Sequence, residues 1–179
     1  YVPGSPVRAN GESMAEEDDA EPAVISGRVR SLDGTPIAGA KLDIWQTNSA
    51  GAYAVQQPDI QPGTNLRGIY TSDEEGRYEV RTVRPVEYRI PDDGPVGRLL
   101  RATKRHPWRA AHVHVIVSAA DHEPVVTHIF DADRPYLDSD AVFGVKPSLV
   151  RQFTPRQQLD GSTTWTLEHD FVLAPERSR

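Results

Sequence analysis

Residues 109–117 read Arg-Ala-Ala-His-Val-His-Val-Ile-Val, and the two histidines are the first feature with evident chemistry. In a strand, side chains two apart project from the same face. His112 and His114 therefore stand together, with Cα atoms roughly 6.5–7 Å apart. Val113, Val115 and Val117 face the other way, into a core. Two neighbouring imidazoles can share one metal ion. Imidazole suits Zn, Cu, Fe and Ni, so the pair alone does not choose among them. The plain alternative is two hydrogen-bonded histidines on a half-exposed strand.

A metal would need further donors. The chain has no Cys, which excludes zinc ribbons, iron–sulfur clusters, thiol nucleophiles and disulfide scaffolds. Asp and Glu sit mostly in turns. Tyr53 and Tyr88 stand out because each falls in a loop-like stretch, Tyr53 after Asn48-Ser49-Ala50-Gly51-Ala52 and Tyr88 before Arg89-Ile90-Pro91. A neutral phenol, with a pKa near 10, is a poor ligand. A trivalent ion can deprotonate it, and phenolate favours Fe(III). Two Tyr with two His would make an iron site held ferric. Either Tyr taken singly reads equally as a loop anchor.

The elements that must carry these residues are short. The 179 residues suffice for one domain with a real core, and 37% hydrophobic with 26% charged residues is a globular balance. No apolar run approaches a bilayer span, and no leader-like segment opens the chain, so a cytoplasmic protein is expected. Fifteen Pro and thirteen Gly point to β structure with many turns. Strands are predicted around residues 25–32, 41–46, 68–72, 77–84, 112–118, 124–130 and 163–173. One short helix is expected at 96–104, with Pro95 at its first position, and a helical turn at 146–153. The fold class is all-β, a β-sandwich with long active-site loops. Residues 1–23 read as an arm or linker and 24–179 as the sandwich domain. Six acidic residues lie between Asn10 and Gly27 (Glu12, Glu16, Glu17, Asp18, Asp19, Glu21), leaving 20 acidic against 20 basic elsewhere. A neutral body argues against nucleic acid as a partner. The acidic run lacks the spacing of a calcium loop and reads as solvated linker.

The segment Leu42-Asp43-Ile44-Trp45-Gln46-Thr47-Asn48-Ser49-Ala50-Gly51-Ala52-Tyr53 resembles the D-x-W-x-x-N-x-x-G-x-Y segment of intradiol ring-cleavage dioxygenases. Thr71-Ser72-Asp73-Glu74-Glu75-Gly76-Arg77-Tyr78 is similar to their T-D-x-x-G-x-Y turn, and Arg109-x-x-His112-x-His114 to their histidine motif. The loop with Tyr88, then Pro91 and Gly94-Pro95, matches too. The intervals, 35 residues from Tyr53 to Tyr88 and 24 from Tyr88 to His112, fit the family. The resemblance covers about residues 1–150.

It implies one Fe(III) per chain, held by Tyr53, Tyr88, His112 and His114. Tyr53 and His112 would be equatorial, with Tyr88 and His114 axial. A catechol-type diol would displace Tyr88 and be cleaved by O₂ between its hydroxyl-bearing carbons, giving muconate-type products. Arg109 would supply fixed positive charge beside the reacting ring. The stretch Tyr136-Leu137-Asp138-Ser139-Asp140-Ala141-Val142-Phe143-Gly144-Val145 is most similar to hydroxyquinol 1,2-dioxygenases, making Ala141 and Val142 pocket-wall candidates. His128 stands where many catechol enzymes carry Gln, as a further substrate-side residue or a third metal-side His. Tyr1-Val2-Pro3-Gly4-Ser5-Pro6 resembles a catechol-type segment that a helical dimerisation domain precedes. No such domain is present here, so the expectation is a catalytic-domain fragment or a compact variant, with a homodimer among the assemblies. Two other readings stay open. A transthyretin-like binding module would have no use for Tyr53 and Tyr88 together. A zinc hydrolase would need a carboxylate ligand that no motif places.

Overall fold

The structure is a computed structural model that describes residues 3–16 and 20–176. Tyr1, Val2 and the acidic residues Glu17, Asp18 and Asp19 lie outside the described residues. The strands are β1 (Pro22–Ser31), β2 (Lys41–Trp45), β3 (Arg67–Thr71), β4 (Arg77–Val83) and β5 (Tyr88–Arg89), followed by the helix α1 (Pro95–Ala102). Then come β6 (Trp108–Arg109), β7 (His112–Ser118), β8 (Val125–Asp131), β9 (Val150–Arg151), β10 (Thr154–Gln157), β11 (Thr163–Glu168) and β12 (Phe171–Leu173).

Period-2 alternation decides which face is buried. Ile25 and Val29 of β1, Tyr78 and Val80 of β4, and Leu167, Phe171 and Leu173 of β11 and β12 form one half of the core. Leu42 and Ile44 of β2, Tyr70 of β3, Val113, Val115 and Val117 of β7, and Ile129 of β8 form the other. The first half belongs to a sheet ordered β10-β11-β1-β12, with β4 also paired to β1; the second to a sheet ordered β3-β2-β7-β8-β9. The result is the expected β-sandwich, with a small β5-β6 ribbon outside it. No helix among the described residues is long and apolar enough to cross a membrane.

Two local expectations are revised. Residues 163–173 are not one strand but two, separated at His169-Asp170. There Ser26 O accepts the His169 N–H, and Asp170 Oδ1 accepts the Arg28 N–H. The gap faces Gly27, where a Cβ would come within 2.0 Å of His169 O, so only glycine lets the backbones approach this closely. Tyr88 is not in an open loop, because it forms β5 and pairs with Arg109 of β6. The turn expected at 146–153 is a 3₁₀ turn, Pro147–Leu149, leading into β9.

Within the N-terminal segment, described residues between Ser5 and Glu16 lie against the sandwich. Met14 is fully buried in the core, and Val7 and Ser13 bridge to Ile69 and Arg81. Glu16 pairs with Arg8, and Glu21 pairs with Arg134.

The core is packed tightly enough that a missing methyl group is felt. Ile44→Ala, at a 1% exposed position on β2, is expected to cost about 2–5 kcal/mol in urea unfolding. A loss below about 1 kcal/mol would mean that the two sheets do not close over this residue.

Candidate metal centre

The histidine motif lies on the outer face of the β3-β2-β7-β8-β9 sheet. Since Val113 and Val115 point into the sandwich, His112 and His114 must point out. Register fills the same face from both sides: Trp45 of β2 and His128 of β8 are the cross-strand neighbours of His114. Trp45 lies flat on the His114 ring, with centroids 4.7 Å apart and planes within 3°. The His128 ring is 4.5 Å from His114 and 5.1 Å from His112, centroid to centroid. Three imidazole nitrogens, one from each of His112, His114 and His128, lie within 4.8 Å of one another.

Two loops bring the phenols over this face. Asn48 organises the first, its Oδ1 accepting the N–H groups of Ala50 and Ala52. Gln56 Oε1 then accepts the Tyr53 N–H at the start of a 3₁₀ turn, Ala54–Gln56. Gly51 has φ +75, and a Cβ there would sit 2.9 Å from Tyr88 Cβ, so this glycine is what lets the two tyrosine segments touch. Tyr53 Oη is 2.9 Å from Tyr88 Oη and 2.9 Å from His114 Nε2. His112 Nε2 is 3.1 Å from His114 Nε2. Two phenol oxygens and two imidazole nitrogens thus converge on one point.

The electrostatics suit a cation. His112 Nδ1 is 2.7 Å from the Ala110 carbonyl oxygen, which can only accept, so Nδ1 carries the proton and Nε2 presents a lone pair. That lone pair faces another imidazole nitrogen, an arrangement that needs a proton or a metal ion between them. Burial, and then the Arg109 charge, press the His112 pKa down to about 3. Burial, with His112 beside it, takes His114 to about 2. Burial also lowers His128. All three rings are therefore neutral at pH 7. Burial pushes the Tyr53 phenol well above its ordinary range, so only a strong Lewis acid would draw off its proton.

Arg109 is buried beside this cluster. Its Nη1 is 3.5 Å from Tyr88 Oη, its Nε–H is accepted by Asp140 Oδ1 at 3.0 Å, and its buried Nη2 has no hydrogen-bond partner among the described residues. A cavity of about 240 Å³ opens against Tyr53, Tyr88, Trp45 and His114, with Ala54, Val55 and Arg67 among its other walls. Of the pocket-wall candidates, Ala141 is buried and its N–H bonds Trp108 O, whereas Val142 is about half exposed; neither lines this cavity. His106 and His122 sit in loops, and His169 is bonded by Arg151 Nε, all away from the centre. Reading the residues by type overlooked Trp45 as a neighbour of the centre. The alternation of β2, with Leu42 and Ile44 inward, was the signal that put it on the histidine face.

The chain matches the family model Dioxygenase_C, described as dioxygenase, over residues 1–175. It is 48% identical to a hydroxyquinol 1,2-dioxygenase of Rhizobium sp. (strain MTP-10005) over 97% of this chain and 62% of that protein. It is 46% identical to a 6-chlorohydroxyquinol 1,2-dioxygenase of Cupriavidus pinatubonensis, over 98% of this chain and 62% of that protein. The crystal structure of hydroxyquinol 1,2-dioxygenase from Pseudomonas putida DLL-E4 superposes with a TM-score of 0.92 at 44% identity, covering 98% of this chain and 64% of that one. The catechol 1,2-dioxygenase of Pseudomonas arvilla C-1 gives 0.93 at 30% identity, over 99% of this chain and 60% of that one. The chain thus spans a little under two thirds of the length of these relatives. In fold, motif order and sequence, it belongs to the intradiol ring-cleavage dioxygenases.

Proposed function

We propose that this chain is the catalytic domain of a ferric intradiol dioxygenase, and that Tyr53, Tyr88, His112 and His114 hold one iron ion. The carrying observation is the convergence of two phenol oxygens and two imidazole nitrogens, with contacts of 2.9–3.1 Å. Hard phenolates beside neutral imidazoles fit a trivalent ion better than Zn²⁺, which takes its Cys, His and carboxylate ligands in tetrahedral sites. When bound, the ion supplies a Lewis-acid centre that chelates both oxygens of a vicinal diol and leaves the ring electron-rich toward O₂.

The chain's own residues do the rest. Tyr88, between Tyr53 and Arg109, would help hold the ion as a phenolate and would be the base that takes a diol proton. Arg109, always charged and buried, stabilises negative charge developing on the ring. Of the substrate-side candidates, His128, with its ring 4.5 Å from His114, is the one beside the donor cluster, whereas Ala141 and Val142 lie outside the cavity. Both atoms of O₂ enter the product, a muconate- or maleylacetate-type diacid. Two relatives at 48% and 46% identity act, by their names, on hydroxyquinol and its 6-chloro derivative, so hydroxyquinol is the first substrate to test, ahead of catechol and chlorocatechol. A binding module without catalysis would leave this donor set without a role.

With Fe(III), the chain should show a visible tyrosinate-to-iron band and consume O₂ with hydroxyquinol in a one-to-one ratio. A colourless protein, or zinc found by elemental analysis, would overturn the reading. Tyr88→Phe should weaken the band and lower kcat by about 10²–10⁴-fold; full rate with full colour would remove Tyr88 from the ligand set.

The metal-free chain should also respond to pH. His112 binds its proton near pH 6.5 when unfolded but only near pH 3 when folded. The unfolded state therefore takes up more protons between these values, and stability should fall as pH drops from 6.5 toward 3. Urea midpoints that stay level from pH 7 to 4.5 would contradict the burial of these rings.

A further inference from the structure

Asp140 is 3% exposed, and its carboxylate accepts three N–H groups. Oδ1 accepts the Arg109 Nε–H at 3.0 Å and the Ala110 N–H at 3.1 Å; Oδ2 accepts the Gly144 N–H at 2.8 Å. Its own segment is tied down as well. The Ala141 N–H bonds Trp108 O, and Arg105 donates to the Asp140 and Ala141 carbonyls. Ala110 is gripped at both backbone groups, its N–H by Asp140 and its carbonyl by His112 Nδ1. One carboxylate therefore bears on the guanidinium and, through one residue, on an imidazole of the metal centre.

A guanidinium presents a rigid fork, so fixing one edge aims the others. With Nε–H held by Asp140, Nη1 is directed at Tyr88 Oη and Nη2 has no partner among the described residues. We propose that Asp140 is a positioning residue: it orients Arg109 toward the diol site. The inference rests on the dioxygenase reading above. Asp140→Asn keeps the shape but puts an NH₂ group against either Gly144 N–H or Arg109 Nε–H, two donors that cannot face it.

The test uses the whole chain. Asp140→Asn should lower kcat for hydroxyquinol by about 10–100-fold, the cost of a misaimed group, with KM changed less than about threefold. In the Arg109→Ala background, the same substitution should cost less than about twofold, because there is no guanidinium left to aim. A kcat within twofold of wild type, or an equal loss in both backgrounds, would overturn the proposal in favour of a purely structural role. A second readout needs no iron. In the metal-free protein, the Arg109 Nε–H should exchange slowly with solvent by NMR, and Asp140→Asn should speed that exchange at least about tenfold; an unchanged rate would refute the clamp. A wild-type chain that cleaves no diol, yet shows this change in exchange, would overturn the proposed reaction and leave the clamp standing.

Discussion

Everything at this centre depends on one polar contact, the 2.7 Å hydrogen bond from His112 Nδ1 to the Ala110 carbonyl. It assigns the tautomer, and so leaves a bare lone pair on Nε2 in a place where burial forbids protonation at neutral pH. The neighbouring imidazole and the two phenols then crowd four donor atoms together at the edge of the cavity. Such a cluster needs a shared proton or a metal ion between its donor atoms. The sandwich beneath supplies the rigidity: the strand that carries both histidines packs Val113, Val115 and Val117 into the core from its other face.

The loops are held to that strand by specific devices rather than by bulk packing. Asn48 closes the Tyr53 loop on itself, and Gly51 lets the loop reach the Tyr88 segment. The β5-β6 ribbon pairs Tyr88 with Arg109, so the second phenol and the guanidinium move as one unit. Deeper in, Arg84 makes a two-pronged ion pair with the fully buried Asp131 and lies 3.8 Å over the Trp165 ring. That pair ties the end of β4 to the end of β8 and so connects the two sheets beside the site. A buried, geometrically complete pair of this kind gives specificity of arrangement more than net stability.

Much of this was legible in the residues, because strand alternation and turn chemistry are local. The His-x-His pair on one face, the valines on the other, Gly76 in its turn and Pro95 at the helix start all follow from period-2 patterning and the φ that each residue tolerates. Less was legible where a residue's neighbours are distant in sequence. Tyr88 read as loop because two residues carry no periodicity; only pairing with β6 makes them a strand. The run at 163–173 read as one strand because nothing local announces that Gly27, far up the chain, would press against His169.

The sequence by itself determined the donor types, their order and which side of each strand they occupy, since these depend on covalent spacing and alternation alone. Only the tertiary structure decided that His128 stands beside His114, that Trp45 lies flat on that ring and that Asp140 takes hold of Arg109. Those three depend on the register of β2, β7 and β8 and on the return of a segment 30 residues along the chain to Ala110. Register and loop return are settled by burying two apolar faces against each other. That energy is shared across the whole sandwich, so no short stretch of sequence carries it.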